Sequence, residues 1–477
     1  MSLSAQSKRV LLISPPFTYF PQSRILTRRF NYARPPLGLC YLASFLRQEL
    51  GQGLDIRLLD GAFLGAGEII AEAGRFRPNV VGISAVTGNV TAAKSLAATI
   101  KSLCPEALMV AGGAHISVRP QDAFPEFDLS IMGEGEKPFA ALISEFLENG
   151  AVSTPGIPGM VTPGGTEGQA PRRVEHLDSL PFPARDLLDL DRYFHSYPHR
   201  VAPGRFTTLF TSRGCRFHCS YCGSHRLFPG RKHYFSLPYV FAELEEVVAR
   251  HRCSLVFFDD DEFLLDKERL SAICEHLVAR RYPLKWICHG RPEGADPEML
   301  RLMKRAGCVE IQVGVESGSE RILRAMNRGY DSDAVRRFFR LAHREGIRTW
   351  ATFIVGYPGE TEESAAATLR LALETDPSYA TFIMLLPFPG TSVFDDLLRE
   401  GRITTLEWSR YSWHGDRPIH TIAGLSPERL AHLRARAYRR FYLRPGKLLR
   451  LARDVFESHR HWEMSRNFLA WLSLSRG

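Results

Sequence analysis

The 477-residue chain has no apolar run long enough to cross a bilayer. Its start, MSLSAQSKRVLLIS, lacks the apolar core and small-residue cleavage site of a secretory signal. A cytoplasmic protein is expected. Cysteine is sparse and odd in number. Of nine, Cys40, Cys104, Cys253, Cys274, Cys288 and Cys308 stand singly, which argues against a disulfide framework and reads as small buried apolar residues. No internal repeat is evident, which argues against a solenoid. No G-x-G-x-x-G follows the first strand-like segment, where S-P-P-F-T-Y-F stands instead, so dinucleotide binding is disfavoured. Charge imbalance is missing from most of the chain. Residues 1–400 hold 46 Lys+Arg against 46 Asp+Glu, and residues 401–477 hold 15 against 6. The net +9 therefore resides in the C-terminal segment.

Residues 8–149 alternate between apolar strand-like runs (RVLLISPP, DIRLLDG, NVVGISAVT, ALMVAGGAH, DLSIMGEGE) and helical segments near 66–76, 91–103 and 138–148. Apolar strands alternating with helices predict an α/β, Rossmann-like, doubly wound parallel sheet. Ligands bind such sheets at the C-terminal strand ends. Small and polar residues stand there: Ser84 to Asn89, Gly112-Gly113-Ala114-His115, and Gly133-Glu134-Gly135-Glu136. Residues 150–205 are rich in Pro and Gly at first, then aromatic, and read as a connector. Residues 206–399 return to alternation. Six strands, at 206–212, 254–260, 284–290, 309–317, 349–356 and 378–387, predict a partial (β/α)6 TIM-like barrel with its site at the strand C-termini. Residues 400–477 read as basic helices broken at Pro445-Gly446.

The one cysteine cluster is S-R-G-C-R-F-H-C-S-Y-C-G, with Cys215, Cys219 and Cys222. Three thiolates hold a soft metal. A Cys3His zinc set with His218 is one reading, although structural zinc usually draws its ligands from two separated knuckles. The other is an iron–sulfur cubane with one iron free of protein ligands.

C-x3-C-x-aromatic-C after a first barrel strand resembles the radical S-adenosylmethionine superfamily, over roughly residues 206–387. The resemblance implies a [4Fe–4S] cluster on Cys215, Cys219 and Cys222. Its open iron would bind S-adenosylmethionine and yield a 5′-deoxyadenosyl radical. It also implies S-adenosylmethionine contacts from Tyr221, from Asp259 and Asp260 of F-F-D-D-D-E-F, and from Glu316 and Ser317 of V-G-V-E-S-G-S. Gly356 and Gly359 of F-I-V-G-Y-P-G-E-T complete that set. P-F-P-G-T (387–391) is a further point of similarity.

Residues 8–149 resemble the cobalamin-binding domain that precedes one large class of these enzymes, through G-I-S-A-V-T, V-A-G-G-A-H and M-G-E-G-E-K-P. That implies a corrinoid near Ser84, Thr87, Gly112, Gly113, His115, Gly133 and Glu134. The D-x-H-x-x-G motif, whose His ligates cobalt, is absent, which leaves the lower cobalt face unassigned.

The resemblance implies methylation of an unactivated carbon of a biosynthetic intermediate through the 5′-deoxyadenosyl radical and methylcobalamin. The alternative is a radical cyclisation or rearrangement of a lipid or tetrapyrrole-like substrate with the same cofactors, a subgroup that F-Y-L-R-P (441–445) resembles. An external electron donor such as flavodoxin or ferredoxin is implied. Nucleic acid is not expected, since no separate RNA-binding barrel follows. The basic tail, with Trp462, Phe468 and Trp471, is compatible with peripheral membrane contact and equally with packing on the barrel.

Overall fold

A computed structural model describes residues 8–17, 33–51, 53–150, 152, 156–165, 170–196, 204–230, 232–294, 296–412, 415 and 417–457. Trp462, Phe468 and Trp471 lie outside them.

The first sheet contains β1 (Lys8–Ser14), β2 (Leu54–Asp60), β3 (Val80–Ser84), β4 (Leu108–Gly112), β5 (Leu129–Ile131) and β6 (Met160–Val161), in the order β2-β1-β3-β4-β5-β6. β1 to β5 run parallel, and Val10 to Ile13 at its centre are fully buried. Helices on both faces account for the continuous apolar strands. The order turns back between β1 and β3, the kind of switch point at which doubly wound sheets bind ligands. β6 is the exception. It comes from the expected connector and pairs antiparallel with β5. The connector also supplies helix Leu190–Ser196, which lies along the next strand in the chain.

The second sheet is the partial barrel: β7 (Arg205–Leu209), then, after a small antiparallel ribbon of β8 (Ser212–Arg213) and β9 (His233–Tyr234), β10 (Cys253–Phe258), β11 (Lys285–Gly290), β12 (Cys308–Glu316), β13 (Arg348–Val355) and β14 (Tyr379–Met384). The six barrel strands are parallel and in sequence order. Half-buried positions alternate with buried ones on β12, β13 and β14. Gln312 and Trp350 are register partners, and Trp350 Nε1 donates to Thr381 Oγ1 of the next strand at 2.6 Å.

The barrel does not close, so β14 has an open edge. Unpaired edge groups invite pairing with another chain. Helix Pro427–Tyr442 covers them. Tyr438 Oη accepts from Phe382 N at 3.1 Å. Tyr442 Oη accepts from Ala380 N at 2.9 Å and donates to Ala380 O at 2.7 Å. Four of the tail's cations pair with barrel acids. Asp376 pairs with Arg444, Lys447 and Arg450, and Glu362 pairs with Arg429. The described tail thus packs on the barrel. No helix among the described residues is long and apolar enough to cross a membrane.

Candidate functional site

The cysteine loop leaves β7 and is pinned on three sides. Asp260, fully buried beyond β10, accepts from Thr211 N at 3.1 Å, from Thr211 Oγ1 at 3.0 Å and from Ser212 Oγ. Ser220 N donates to Met326 O at 3.1 Å, and Ser220 O accepts from Val393 N at 3.0 Å. Ser220 Oγ and Tyr357 Oη lie 2.6 Å apart. Cys219 is buried, while Cys215 and Cys222 are half-buried. Burial pushes the Cys222 thiol up to about 12 and raises Cys215 as well.

Two arginines that the sequence did not single out complete this site. Arg291, just past β11, and Arg328 direct Nη1 at Cys219 Sγ, at 3.8 and 3.4 Å. Both are buried. Arg291 stacks on Phe217, 3.6 Å from the ring centre, and pairs with Glu293 at 2.7 Å. Arg328 Nη2 donates to Gly314 O at 2.7 Å and Nε to Tyr330 Oη at 2.8 Å. Two buried guanidiniums on one sulfur are costly unless the sulfur belongs to an anion. That donor set fits a thiolate-bound, negatively charged cluster. Among the described residues no three His, Cys, Asp or Glu side chains are gathered to hold a single metal ion. The Cys3His zinc set is therefore not assembled.

The expected neighbours of the cluster divide into two groups. Glu316 ends β12 with φ +64°, a left-handed conformation that costs a non-glycine residue and persists where the surroundings enforce it. Burial raises its carboxyl, while Arg328, 3.9 Å away, and a hydrogen bond from Tyr221 oppose that. Asp259 lies between Arg34, from the N-terminal half, and His289 at 3.4 Å. Burial opposes its charge, yet the Arg34 guanidinium and a hydrogen bond from His289 hold its carboxyl below the ordinary range. Tyr221 and Glu316 are thus hydrogen-bonded to each other, and Asp259 is engaged by Arg34 and His289. Asp260 anchors the loop, and Ser317 Oγ faces Thr368 Oγ1 at 3.2 Å while capping Ser319 N at 3.1 Å. Gly356 and Gly359 have φ of +86° and +84°. Gly356 N donates to Glu360 at 2.5 Å and its carbonyl accepts from His420 at 2.7 Å.

The expected corrinoid contacts are mostly committed within the protein. His115 is fully buried, with Nδ1 3.1 Å from Thr87 Oγ1 and Nε2 3.0 Å from Asp122 Oδ2. It offers no free nitrogen to a ligand. A Cβ on Gly113 would lie 2.7 Å from Ala85 N and Ser84 Oγ, and one on Gly133 3.0 Å from Pro171, so close backbone approach explains both glycines. Gly112 alone has open space beside it, with no atom nearer than 3.9 Å. The tail reaches back here. Trp408 packs edge-on against His115, and Gly88 lies against the Tyr411 carbonyl.

Glu134 is engaged within the protein. It accepts from Arg213 Nη1 at 2.5 Å and from Val174 N at 2.7 Å. Arg213 Nη2 donates to Glu136 at 2.7 Å. Arg213 is two residues before Cys215. The strand-end loop of the first sheet therefore grips the cysteine loop of the second.

Comparison with known proteins agrees with this geometry. The radical SAM superfamily profile matches residues 209–372, and the B12 binding domain profile matches residues 23–143. An uncharacterized methyltransferase, PH0819, of Pyrococcus horikoshii is 29% identical over 94% of this chain and 95% of its own. The anaerobic magnesium-protoporphyrin IX monomethyl ester cyclase of Cereibacter sphaeroides is 26% identical over 86% of this chain and 67% of its own. Among solved structures, the methyltransferase TsrM of Kitasatospora setae, with cobalamin and a [4Fe–4S] cluster bound, superposes with a TM-score of 0.67. It is 20% identical, over 83% of this chain and 75% of that one.

Proposed function

Because the chain belongs to the radical S-adenosylmethionine superfamily and carries a B12-binding domain ahead of its barrel, we propose that it methylates an unactivated carbon of a small-molecule biosynthetic intermediate. The observation that carries this reading is the Arg213 grip, which sets the strand ends of the two sheets against each other. Two cofactors held at those ends would share one chamber. Cys215, Cys219 and Cys222 would hold the cluster, and the strand ends of the first sheet the corrinoid. When bound, the cluster with S-adenosylmethionine supplies a hydrogen-abstracting radical, and the corrinoid supplies a methyl group. The protein's own part is position and exclusion of water. Tyr221 packs in the apolar cluster with Ile354, Tyr357 and Leu385, beside the loop. Glu316, at the end of β12, and Asp259, just past β10, would offer carboxylates, the chemistry that an ammonium or ribose hydroxyl requires.

Methyl-deuterated S-adenosylmethionine tests the reaction class. Label is expected in the product. A product without label would favour cyclisation or rearrangement, the reading that the cyclase relative supports.

The arginine pair carries its own expectation. Positive charge beside a cluster favours its reduced, more negative form. In an Arg291→Gln, Arg328→Gln protein the cluster is expected to titrate at a potential lower by about 59 mV or more, a tenfold change in the one-electron equilibrium. EPR-monitored redox titration measures it, and an unchanged midpoint would refute the role.

A further inference from the structure

The segment that carries the three cysteines is one-sided in charge. Residues 212–236 contain five Lys+Arg and three His, with no Asp or Glu. Arg213 and Lys232 turn inward, onto Glu134 and Glu136 and onto Glu262. Arg216 and Arg226 turn outward. Both are exposed, and neither has an ion-pair partner among the described residues. Exposed His218 lies between them in the chain, its ring 5.5 Å from that of His225. Tyr234, 42% exposed, has Lys232 over its ring at 5.2 Å. The outer surface of the loop is thus a basic rim with an exposed aromatic ring, while Cys215 and Cys222 lie half-buried beneath it.

Within the tail, which holds the whole net charge, Arg444 and Arg450 pair with Asp376 and Arg429 with Glu362. A basic patch left unpaired beside a redox centre is the arrangement that steers an acidic partner and sets its on-rate. Arg and Tyr are also the residue types enriched at protein interfaces.

We infer that the outer face of the cysteine loop, centred on Arg216 and Arg226, is the docking surface for a small acidic one-electron carrier protein. This rests on the radical-enzyme reading. One electron leaves the carrier, an anionic flavin hydroquinone becoming the neutral semiquinone, and the oxidised cluster gains it. Surface position shortens that path, since Cys215 and Cys222 are themselves only half-buried. The buried Arg291 and Arg328 bear on the equilibrium of reduction. Arg216 and Arg226 bear on its rate.

The test is stopped-flow bleaching of cluster absorbance by a bacterial flavodoxin hydroquinone, with dithionite as a small reductant that needs no docking. In the full chain bearing Arg216→Glu and Arg226→Glu, the second-order rate with flavodoxin is expected to fall at least tenfold at low salt and to lose its salt dependence. The dithionite rate should hold. R216K/R226K should keep the parent rate. Should the double Glu protein assemble less cluster, R216Q/R226Q makes the same comparison with a smaller charge change. Equal flavodoxin rates in parent and variants would overturn the surface. So would unchanged flavodoxin rates together with bulk RNA binding that the double Glu protein loses, which would assign the patch to nucleic acid. A parent that dithionite cannot bleach would overturn the radical-enzyme reading itself, and the surface with it.

Discussion

A Cys219→Ala chain, purified without oxygen, is expected to lose nearly all its iron and acid-labile sulfide. Its turnover should fall at least about a thousandfold, or roughly 4 kcal/mol of barrier. Of the three thiols Cys219 is the buried one, and it alone takes both guanidiniums. Removing its sulfur leaves Arg291 and Arg328 without their shared anion, so the loss reaches beyond one cluster ligand. Cys274→Ala is the control, since its thiol sits in the apolar core and should leave the metal content intact. Elemental analysis and EPR read both outcomes. A parent protein containing zinc, without iron or sulfide, would refute the cluster.

The second large effect concerns stability. Arg185 and Glu243 form an ion pair at 2.6 Å with both side chains fully buried, where the connector crosses the barrel. Arg185 also donates to Thr207 Oγ1 at 3.2 Å and Thr208 O at 2.8 Å. Glu243→Leu strands the guanidinium in the core. A buried charge that loses its partner costs about 3–5 kcal/mol. The urea midpoint of the variant should fall accordingly. Arg185→Met combined with Glu243→Leu should recover most of that loss, because the pair's own attraction largely offsets its desolvation. A double variant as weak as the single would show that Arg185 acts through Thr207 and Thr208 rather than through Glu243.

Much of the architecture was legible because it repeats. Each barrel strand is an apolar run closed by small or polar residues, and the structure places β10 to β14 within a few residues of the expected bounds. β6 was not legible, since two residues in a Pro- and Gly-rich stretch carry no periodicity. The site divides along a similar line. The cysteines announce themselves by spacing. Of the acids after β10, Asp259 and Asp260 look alike in sequence, yet one meets Arg34 and His289 and the other tethers the loop. Strand-end position brings a side chain near the site, but loop geometry decides which way it turns. Arg291 and Arg328 were hidden for a different reason. Arginine is ordinarily a surface residue, and H-G-R-P-E and N-R-G-Y carry no mark of burial. Position offered one signal: Arg291 directly follows a barrel strand, as Asp259 does. His115 and Glu134 show the converse, since both stand at strand ends and both are engaged within the protein, His115 by Thr87 and Asp122 and Glu134 by Arg213.

The tyrosines on the open barrel edge have a geometric consequence. Tyr438 and Tyr442 are four residues apart on a helix, and Phe382 and Ala380 are two apart on a strand. Four helical residues rise about 6.0 Å and two strand residues about 6.6 Å. The two repeats are nearly commensurate, so one helical turn measures off one ladder step in the opposite direction. The helix therefore serves as the sheet's missing neighbour, a seventh rung-bearer that reads the strand with hydroxyl groups in place of peptide groups. Such a ruler tolerates substitution along its outer face but no change of spacing between its marks, and it ends the sheet where another strand would have extended it.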